Sequence, residues 1–418
     1  GKTARALRLA SAARIARTEV ASAMGSCVGL SSGAAVERLA GADAVRLLRP
    51  RWMLRGANWG TSSFHQENII ADKLGAGSYA SVYAVRKAAG GEPRYAAKVL
   101  NLRRANGKQS RDMGRMVAHE LTVLQKVAET GSHHVVRFYK SFREGPLVYM
   151  LMERCDETLH DAIRSIDHLT EAAYKPMWQG MLQGLAAIHA LGVVHRDVKP
   201  DNFMCSRQRG APVVKLCDFG LSGMTASPDR DDLHGVNGTA PFMAPEMLSW
   251  SRYGAKVDVW SFGVIVYVLL FGHFPYMPHE WSAEVMKRMI RSGSPMPAFK
   301  PRVRGRTDEE VSSAVSVTAT NFAADLLRRA PRLRLSAEGA LRHEFLKQRP
   351  PRMPQVSLRP MLKSAECCGA FSMTRGACEE APSAIDISVA ELQVKHGHDS
   401  VWSRNTSASS NSSDSSDL

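Results

Sequence analysis

The 418-residue sequence lacks any apolar run of about 18 residues, the length that a membrane-spanning helix requires. Its most apolar stretch, residues 259–272, is shorter and contains Ser261, so we expect a buried core helix there. Cysteine is scarce and odd in number, with seven residues and no paired zinc-ligand spacing. This pattern disfavours a disulfide scaffold or a zinc module and favours a reducing compartment.

Acidic residues are also few, with 40 Asp and Glu against 55 Lys and Arg, which gives a formal net charge of +15. Charge alone raises the alternative of a nucleic-acid-binding protein. No basic patch interleaved with aromatic residues and no zinc finger accompanies the charge, so we expect no nucleic-acid partner. Hydrophobic residues make up 44% of the chain, enough for a sizeable core.

Composition divides the chain into three segments. Residues 1–63 hold ten Lys and Arg against three Asp and Glu, which predicts a disordered or targeting arm. Residues 64–348 alternate between strand and helix patterns and predict a folded domain. Residues 349–418 start with prolines and end in a run of Ser and Asn, which predicts a disordered tail.

The basic arm contains a candidate lipidation site. If translation began at Met24, Gly25 would become an N-terminal glycine for myristoylation and Cys27 a second acylation site. Both anchors would be needed, because one myristoyl chain binds membranes only marginally. Gly29 departs from the pattern, which prefers Ser or Thr there. A disordered arm and a transit segment remain the alternatives. We expect a cytoplasmic protein that associates with membranes only if it is lipidated.

Hydrophobic periodicity places the elements of the folded segment. Strands are predicted within residues 68–85 and at 96–100, followed by a helix at 112–129 and strands at 135–142 and 147–153. After Leu159 the pattern is mostly helical. Its clearest segments are 172–191, 257–271 and 337–346.

A glycine-rich loop, GAGSYASV, occupies residues 75–82. Glycines at this spacing let backbone amides approach phosphate oxygens, although many such turns are purely structural. A strand follows the loop, so it joins two strands of a hairpin. A dinucleotide-binding fingerprint would instead require a helix.

Lys98 lies among apolar residues of a predicted strand and requires a partner charge if it faces a cleft. The alternative is a solvated lysine at a sheet edge. Glu120, in the following helical segment, offers that partner. A Lys98–Glu120 pair could hold the ammonium against two phosphates.

The strongest signal is the run VHRDVKPDN at residues 194–202, followed by LCDFG at 216–220. Asn202 and Asp218 offer hard oxygen ligands that suit Mg²⁺. Asp197 is placed to accept a proton from an attacking hydroxyl, and Lys199 can neutralise charge on a transferring phosphoryl group. The alternative is a polar turn between core strands. It would not explain why the glycine-rich loop, Lys98 and these runs occur in this order along the chain.

These motifs resemble the eukaryotic protein kinases over roughly residues 64–347. The run GTAPFMAPE at 238–246 is similar to the end of an activation segment. Asp258 resembles the aspartate that braces the catalytic loop, and Arg334 the late arginine that pairs with Glu246. Lys199 and Thr239 resemble the serine/threonine type of kinase. The sequence, particularly at residues 195–202 and 337–345, is similar to the calcium/calmodulin-dependent kinase group.

The resemblance implies an α+β fold, the bilobal protein-kinase fold. A small antiparallel sheet lobe with one helix would span residues 64–152, a hinge 153–155 and a mainly helical lobe 156–348, with ATP and Mg²⁺ in the cleft. Asp197 and Lys199 would be catalytic, and Asn202 and Asp218 would bind the metal. The implied ATP-binding residues are Leu74, Gly75, Ala76, Gly77, Ser78, Tyr79, Ala80, Ser81, Val82, Ala96, Lys98, Glu120, Glu153, Cys155 and Met204, with Met152 guarding the back pocket.

Two departures from the family pattern matter. Ala80 stands where a third glycine is common, and we expect this small residue to be tolerated. The activation segment has no Ser or Thr just before Gly238. Asp231 or Asp232 could supply the negative charge that Arg196 would otherwise take from a phosphate, or both could be turn carboxylates in solvent. We expect basal activity without phosphorylation there.

The sequence thus predicts an active serine/threonine kinase that transfers the γ-phosphoryl group of ATP to protein substrates in signalling. A pseudokinase that acts as a scaffold is the alternative, although every expected Lys, Glu, Asp and Asn position is filled. No EF-hand pattern follows the kinase region, so calcium dependence would have to come from a regulatory partner.

Overall fold

A computed structural model of the chain describes residues 63–77, 80–103, 111–207, 212–302, 314–348 and 356–371. The predicted arm before Ser63, with its candidate lipidation site, lies outside these ranges. The same holds for Ser78 and Tyr79 of the glycine-rich loop and for the tail after Phe371.

The amino-terminal part of the described chain forms a five-stranded antiparallel sheet in the order β1-β2-β3-β5-β4. A short helix, α1 (Phe64–Glu67), precedes it. The fifth strand is buried at every position from Leu147 to Leu151, so this strand is covered on both faces of the sheet. The strands are β1 (Asn68–Ala76), β2 (Ala80–Lys87), β3 (Tyr95–Asn101), β4 (Phe138–Glu144) and β5 (Leu147–Glu153).

One long helix, α2 (Arg111–Ala128), accompanies this sheet. Its buried residues recur every three or four positions, as in Val117, Leu121 and Leu124, so one face packs inward. Glu120 is buried on the same face, although it carries a charge. A buried carboxylate requires a partner, and the helix therefore presents Glu120 to a cation.

The remainder of the described chain is mainly helical. Its central helix, α6, is almost wholly buried and has apolar side chains on all sides, as expected of a core helix. Short strands also occur here, β6 (Glu157–Thr158), β7 (Val193–Val194), β8 (Phe203–Ser206), β9 (Val213–Leu216) and β10 (Gly223–Met224). The helices are α3 (Leu159–Arg164), α4 (Glu171–His189), α5 (Pro245–Leu248), α6 (Lys256–Phe271), α7 (Ala283–Ser292), α8 (Val317–Leu326), α9 (Ala337–Leu341), α10 (Glu344–Lys347) and α11 (Arg359–Cys367).

The prediction of a disordered tail over residues 349–418 is wrong for residues 356–371. Helix α11 buries Met361, Leu362 and Ala365, and Leu358 directly before it is also buried, so the buried positions follow the three-to-four spacing of an amphipathic helix. It packs against α6, and Arg359 donates hydrogen bonds to the carbonyls of Arg164 and Ile166. The buried apolar side chains explain why these residues form a packed helix. The average composition of residues 349–418 is polar and conceals this short apolar segment.

Other boundaries differ by a few residues. The strand expected from Val135 begins at Phe138, since Val135 forms an isolated bridge to Leu216. The helix expected over 337–346 is interrupted, because His343 caps the second of two short helices with its side chain. No helix in the described ranges has the length and apolar character needed to cross a membrane.

Candidate active site

Lys98 and Glu120 meet as the sequence predicts. Strand β3 carries Lys98 and helix α2 carries Glu120, and the Lys98 Nζ donates to Glu120 Oε1 at 2.6 Å. The same Nζ lies 2.8 Å from Asp218 Oδ1. Three residues from distant parts of the chain therefore share one charge cluster.

Electrostatics keep this cluster ionised. Burial alone would lower the pKa of the Lys98 ammonium, but the charges of Asp218 and Glu120 outweigh it and raise that pKa above its ordinary value. The charge of Lys98 in turn lowers the pKa of Asp218 below its ordinary value. Around neutral pH, Lys98 is therefore a cation and Asp218 an anion.

Asp197 is held by three side chains. Thr239 Oγ1 donates to Asp197 Oδ1 at 2.7 Å, while Lys199 Nζ lies 3.1 Å from Asp197 Oδ2. The Lys199 Nζ also donates to Thr239 Oγ1 at 3.1 Å. Asn202 Nδ2 donates to the Asp197 carbonyl at 2.7 Å. The carboxylate is thus oriented before any substrate binds.

A buried aspartate fixes the backbone of the catalytic loop at His195 and Arg196, directly before Asp197. Asp258 of α6 accepts hydrogen bonds from the backbone N–H groups of His195 and Arg196, each at 2.8 Å, and from the His189 ring at 2.8 Å. Burial opposes ionisation of Asp258, but the His189 hydrogen bond and nearby histidine charges lower its pKa overall. The bracing role that the resemblance implied for Asp258 is confirmed by these contacts.

The donor set fits a hard divalent cation such as Mg²⁺. The Cys217 N–H donates to the Asn202 carbonyl at 2.9 Å and so places Asn202 beside Asp218. Asn202 uses its Nδ2 toward Asp197, which leaves Oδ1 as an acceptor without a donor among the described residues. The Asp218 side chain is 54% exposed, with Oδ1 bound to Lys98 and Oδ2 left for a ligand.

Backbone strain also concentrates here. Arg196 and Asp218 have positive φ angles of 67° and 60°, a region that residues with a side chain rarely occupy. Such strain persists only where surrounding contacts enforce it, and it is common at functional sites. Gly238 has a φ of 99° and lies so close to the Arg196 carbonyl that a Cβ could not be accommodated. That glycine brings Thr239 to Asp197.

The residues predicted to bind the nucleotide lie both on the five-stranded sheet and in the mainly helical part of the chain. Ala96 pairs with Ala84 on one side and Met152 on the other, while Val82 pairs with Lys98. Met204 lies on β8 across from Lys215, and Glu153 and Cys155 connect the two parts of the chain. The remaining described loop residues, Leu74, Gly75, Ala76, Gly77, Ala80 and Ser81, lie at the β1–β2 hairpin, where the Gly77 N–H donates to the Ala80 carbonyl.

Neither Asp231 nor Asp232 forms a hydrogen bond or ion pair with Arg196 in the structure. Asp232 Oδ2 accepts from the Ala226 N–H at 3.0 Å, and Asp231 lies beside Gly254. Burial is the main reason that the pKa of Asp231 is raised. Two alternatives were open for Asp231 and Asp232. The structure favours carboxylates that belong to a turn over carboxylates that replace a phosphate beside Arg196.

Sequence reasoning missed a buried ion pair at the connection between the two parts. Lys215 Nζ lies 3.0 Å from Glu153 Oε1 and donates to the His133 carbonyl at 2.8 Å. The Arg137 N–H donates to the other carboxylate oxygen of Glu153. The signal in the sequence is the lone lysine within the apolar strand β9, since a buried cation requires a partner.

Comparison with known proteins agrees with this geometry. The protein kinase domain profile matches residues 69–346. Calcium/calmodulin-dependent protein kinase type 1 of Caenorhabditis briggsae is 28% identical over 287 residues, which cover 68% of this chain and 74% of the relative. CDPK-related kinase 8 of Arabidopsis thaliana is 34% identical over 233 residues, 55% of this chain and 36% of the relative. Calcium-dependent protein kinase 9 of the same plant is 30% identical over 284 residues, 67% of this chain and 48% of the relative.

The chain belongs to the protein kinase domain family, since the matched region covers well over half of its length. Its catalytic region is of the serine/threonine type and is similar to the calcium/calmodulin-dependent kinase group. The predicted family and bilobal fold are therefore confirmed. The chain spans only about a third to a half of the length of the two plant relatives.

Proposed function

We propose that this chain transfers the γ-phosphoryl group of ATP to serine or threonine hydroxyls of protein substrates. The observation that supports this most strongly is the simultaneous presence of the Lys98–Glu120 pair and an oriented Asp197 carboxylate. A pseudokinase would not need both. The hydroxyl oxygen attacks the γ-phosphorus, the bond to the bridging oxygen of ADP breaks, and Asp197 accepts the hydroxyl proton.

Each charged residue has a distinct role in this proposal. Lys98, held by Glu120, binds the phosphates, and Lys199 stabilises charge on the transferring group. Asn202 and Asp218 would hold Mg²⁺, which neutralises phosphate charge when bound. Thr239 fixes the Asp197 carboxylate near the place that a serine or threonine hydroxyl would occupy. Positioning and electrostatics then supply most of the rate enhancement.

We also propose a regulatory partner. The names of two relatives describe kinases that depend on calcium or on calcium and calmodulin. Adding Ca²⁺ with calmodulin to the purified chain tests this proposal. A change in the rate of peptide phosphorylation that requires both additions supports it, and an unchanged rate contradicts a partner of that kind.

We propose a cytoplasmic location from the state of the cysteines, since Cys155, Cys205, Cys217, Cys367 and Cys368 are all free thiols in the structure. Membrane association through Gly25 and Cys27 stays a prediction about residues outside the described ranges. Mass spectrometry of the native amino terminus tests it, because an unmodified terminus upstream of Met24 on the mature protein would contradict lipidation.

The kinase proposal is tested by two measurements on one preparation. Binding of ATP in the presence of Mg²⁺ and transfer of radiolabel from [γ-³²P]ATP to basic serine-containing peptides are measured side by side. An active kinase binds ATP and transfers the radiolabel to the peptide. A scaffold transfers no radiolabel, whether or not it binds the nucleotide. Lys98→Met should abolish transfer, while the matched control Lys287→Met, which removes only an exposed ion pair with Glu284, should not.

A further inference from the structure

The guanidinium of Arg196 is bound by backbone carbonyls. Its Nε donates to the Leu221 carbonyl at 2.7 Å and its Nη2 to the Ser222 carbonyl at 3.0 Å. Within the described part of the chain, no carboxylate lies at salt-bridge distance from this side chain. A Cβ added to Gly223 would lie 2.9 Å from the Leu233 side chain and 3.2 Å from the Arg196 guanidinium, so Leu233 and Arg196 adjoin the same glycine.

A second side chain reaches the same carbonyl from helix α2. His119 Nε2 lies 2.8 Å from the Ser222 oxygen. A carbonyl oxygen only accepts hydrogen bonds, so Nε2 must carry the proton. His119 immediately precedes Glu120, the residue that binds Lys98. One backbone oxygen therefore receives donors from both α2 and the catalytic loop.

The Ser222 carbonyl is well fixed for this purpose. Ser222 is fully buried, and its N–H donates to the carbonyl of Phe219, the residue after Asp218. Its position is thus tied to that of the predicted magnesium ligand. Adjacent residues of α2 make the His119 hydrogen bond and the Lys98–Glu120 pair, so a displacement of this part of the helix would disturb both contacts.

We propose that His119 is a positioning residue that holds α2 in its catalytic position through the Ser222 carbonyl. His119 and Arg196 both donate to the Ser222 carbonyl. This one neutral acceptor therefore connects α2, the start of the activation segment and the catalytic loop. No phosphate on the activation segment is required for this link. The proposal rests on the kinase function proposed above and adds the means by which its active conformation is maintained.

The test compares two substitutions at one exposed position. His119→Leu removes the donor, and His119→Gln keeps an N–H group at a similar reach. Because His119 is exposed, both variants should fold, which melting curves check. A single hydrogen bond to a neutral acceptor has a modest net effect, so we expect His119→Leu to lower kcat about three- to tenfold and His119→Gln to restore most of it. The control Thr122→Ala alters a hydroxyl that bonds only within α2, to the Ala118 carbonyl, and should leave kcat unchanged.

A second readout does not depend on activity. Hydrogen exchange of the α2 backbone amides should be faster in His119→Leu than in the wild type and near wild-type in His119→Gln. Equal exchange and equal kcat in His119→Leu and the wild type would overturn the proposal, as would equal losses in the Leu and Gln variants. A wild-type chain that transfers no phosphate, but still shows the exchange difference, would refute the kinase function and leave the coupling intact.

Discussion

The guanidinium of Arg334 binds both carboxylate oxygens of Glu246, with Nη1 to Oε1 at 2.6 Å and Nη2 to Oε2 at 3.1 Å. Both side chains are buried, and Arg334 also lies over the Trp260 ring at 4.9 Å. Glu246 belongs to α5, which begins at the end of the activation segment. The pair therefore anchors the end of that segment to the core helix α6.

Arg334→Met should lower the free energy of unfolding by about 3–5 kcal/mol, because it leaves the Glu246 carboxylate buried without a partner. Chemical denaturation measures this. The exposed pair of Arg342 and Glu338 provides the control, since Arg342→Met should change stability by less than about 0.5 kcal/mol. Equal effects of the two substitutions would contradict the structural role assigned to Arg334.

Activity should survive dephosphorylation of the activation segment. Backbone carbonyls already satisfy Arg196, so phosphatase-treated protein should retain most of its activity toward a peptide. Mass spectrometry confirms that the phosphate is absent. A collapse of activity would instead point to Ser227, which is exposed, because Ser222 and Thr225 are buried and inaccessible to a modifying enzyme.

Helix α11 should be required for stability although it lies beyond the region that matches the kinase profile. Removal of residues 372–418 should leave the melting temperature nearly unchanged. Removal of residues 356–418 exposes the apolar surface of α6 that α11 covers, and it should lower the melting temperature strongly. In the full chain, Met361→Ala should cost about 2–5 kcal/mol. The exposed neighbour Lys363→Ala should cost at most about 0.5 kcal/mol. A shorter chain that is as stable as the whole one would contradict this packing.

Cysteine labelling should separate buried from exposed thiols. Burial is the main cause that raises the pKa of the Cys155 thiol to about 12 and that of Cys205 to about 12. A raised thiol pKa reduces the thiolate fraction at pH 8, and the thiolate is the reactive form. Among the cysteines of the described ranges, iodoacetamide should therefore modify the exposed Cys367 before Cys155 and Cys205. Peptide mapping that found Cys155 labelled as fast as Cys367 would be inconsistent with this burial.

Local motifs allowed much of the catalytic region to be predicted. Asp197, Asn202 and Asp218 fall within short runs whose order is informative, and Lys98 with Glu120 needed only the assumption that a buried cation has a partner. Their contacts in the structure agree with those expectations. The catalytic, nucleotide-binding and metal-binding roles assigned to these residues stay predictions.

Contacts between distant segments were harder to foresee. Asp231 and Asp232 form no hydrogen bond or ion pair with Arg196 in the structure, and only the folded backbone shows that carbonyls accept hydrogen bonds from its guanidinium. The apolar spacing of Leu358, Met361 and Leu362 was concealed by the polar composition of the longer tail. His119 gave no signal, because its partner is a backbone carbonyl 103 residues away.

Single-turnover phosphoryl transfer in Asp197→Asn is the most direct test of the whole account. Asparagine keeps the size of the side chain and removes its capacity to accept a proton, so the rate should fall by about 10²–10⁴ while ATP binding and the melting temperature stay near wild-type values. Asp218→Asn should lose a similar factor with a much weaker dependence on Mg²⁺. A wild-type chain that phosphorylates serine in a peptide, with both variants nearly inactive, is the predicted result. Turnover in Asp197→Asn close to that of the wild type would contradict the central claim.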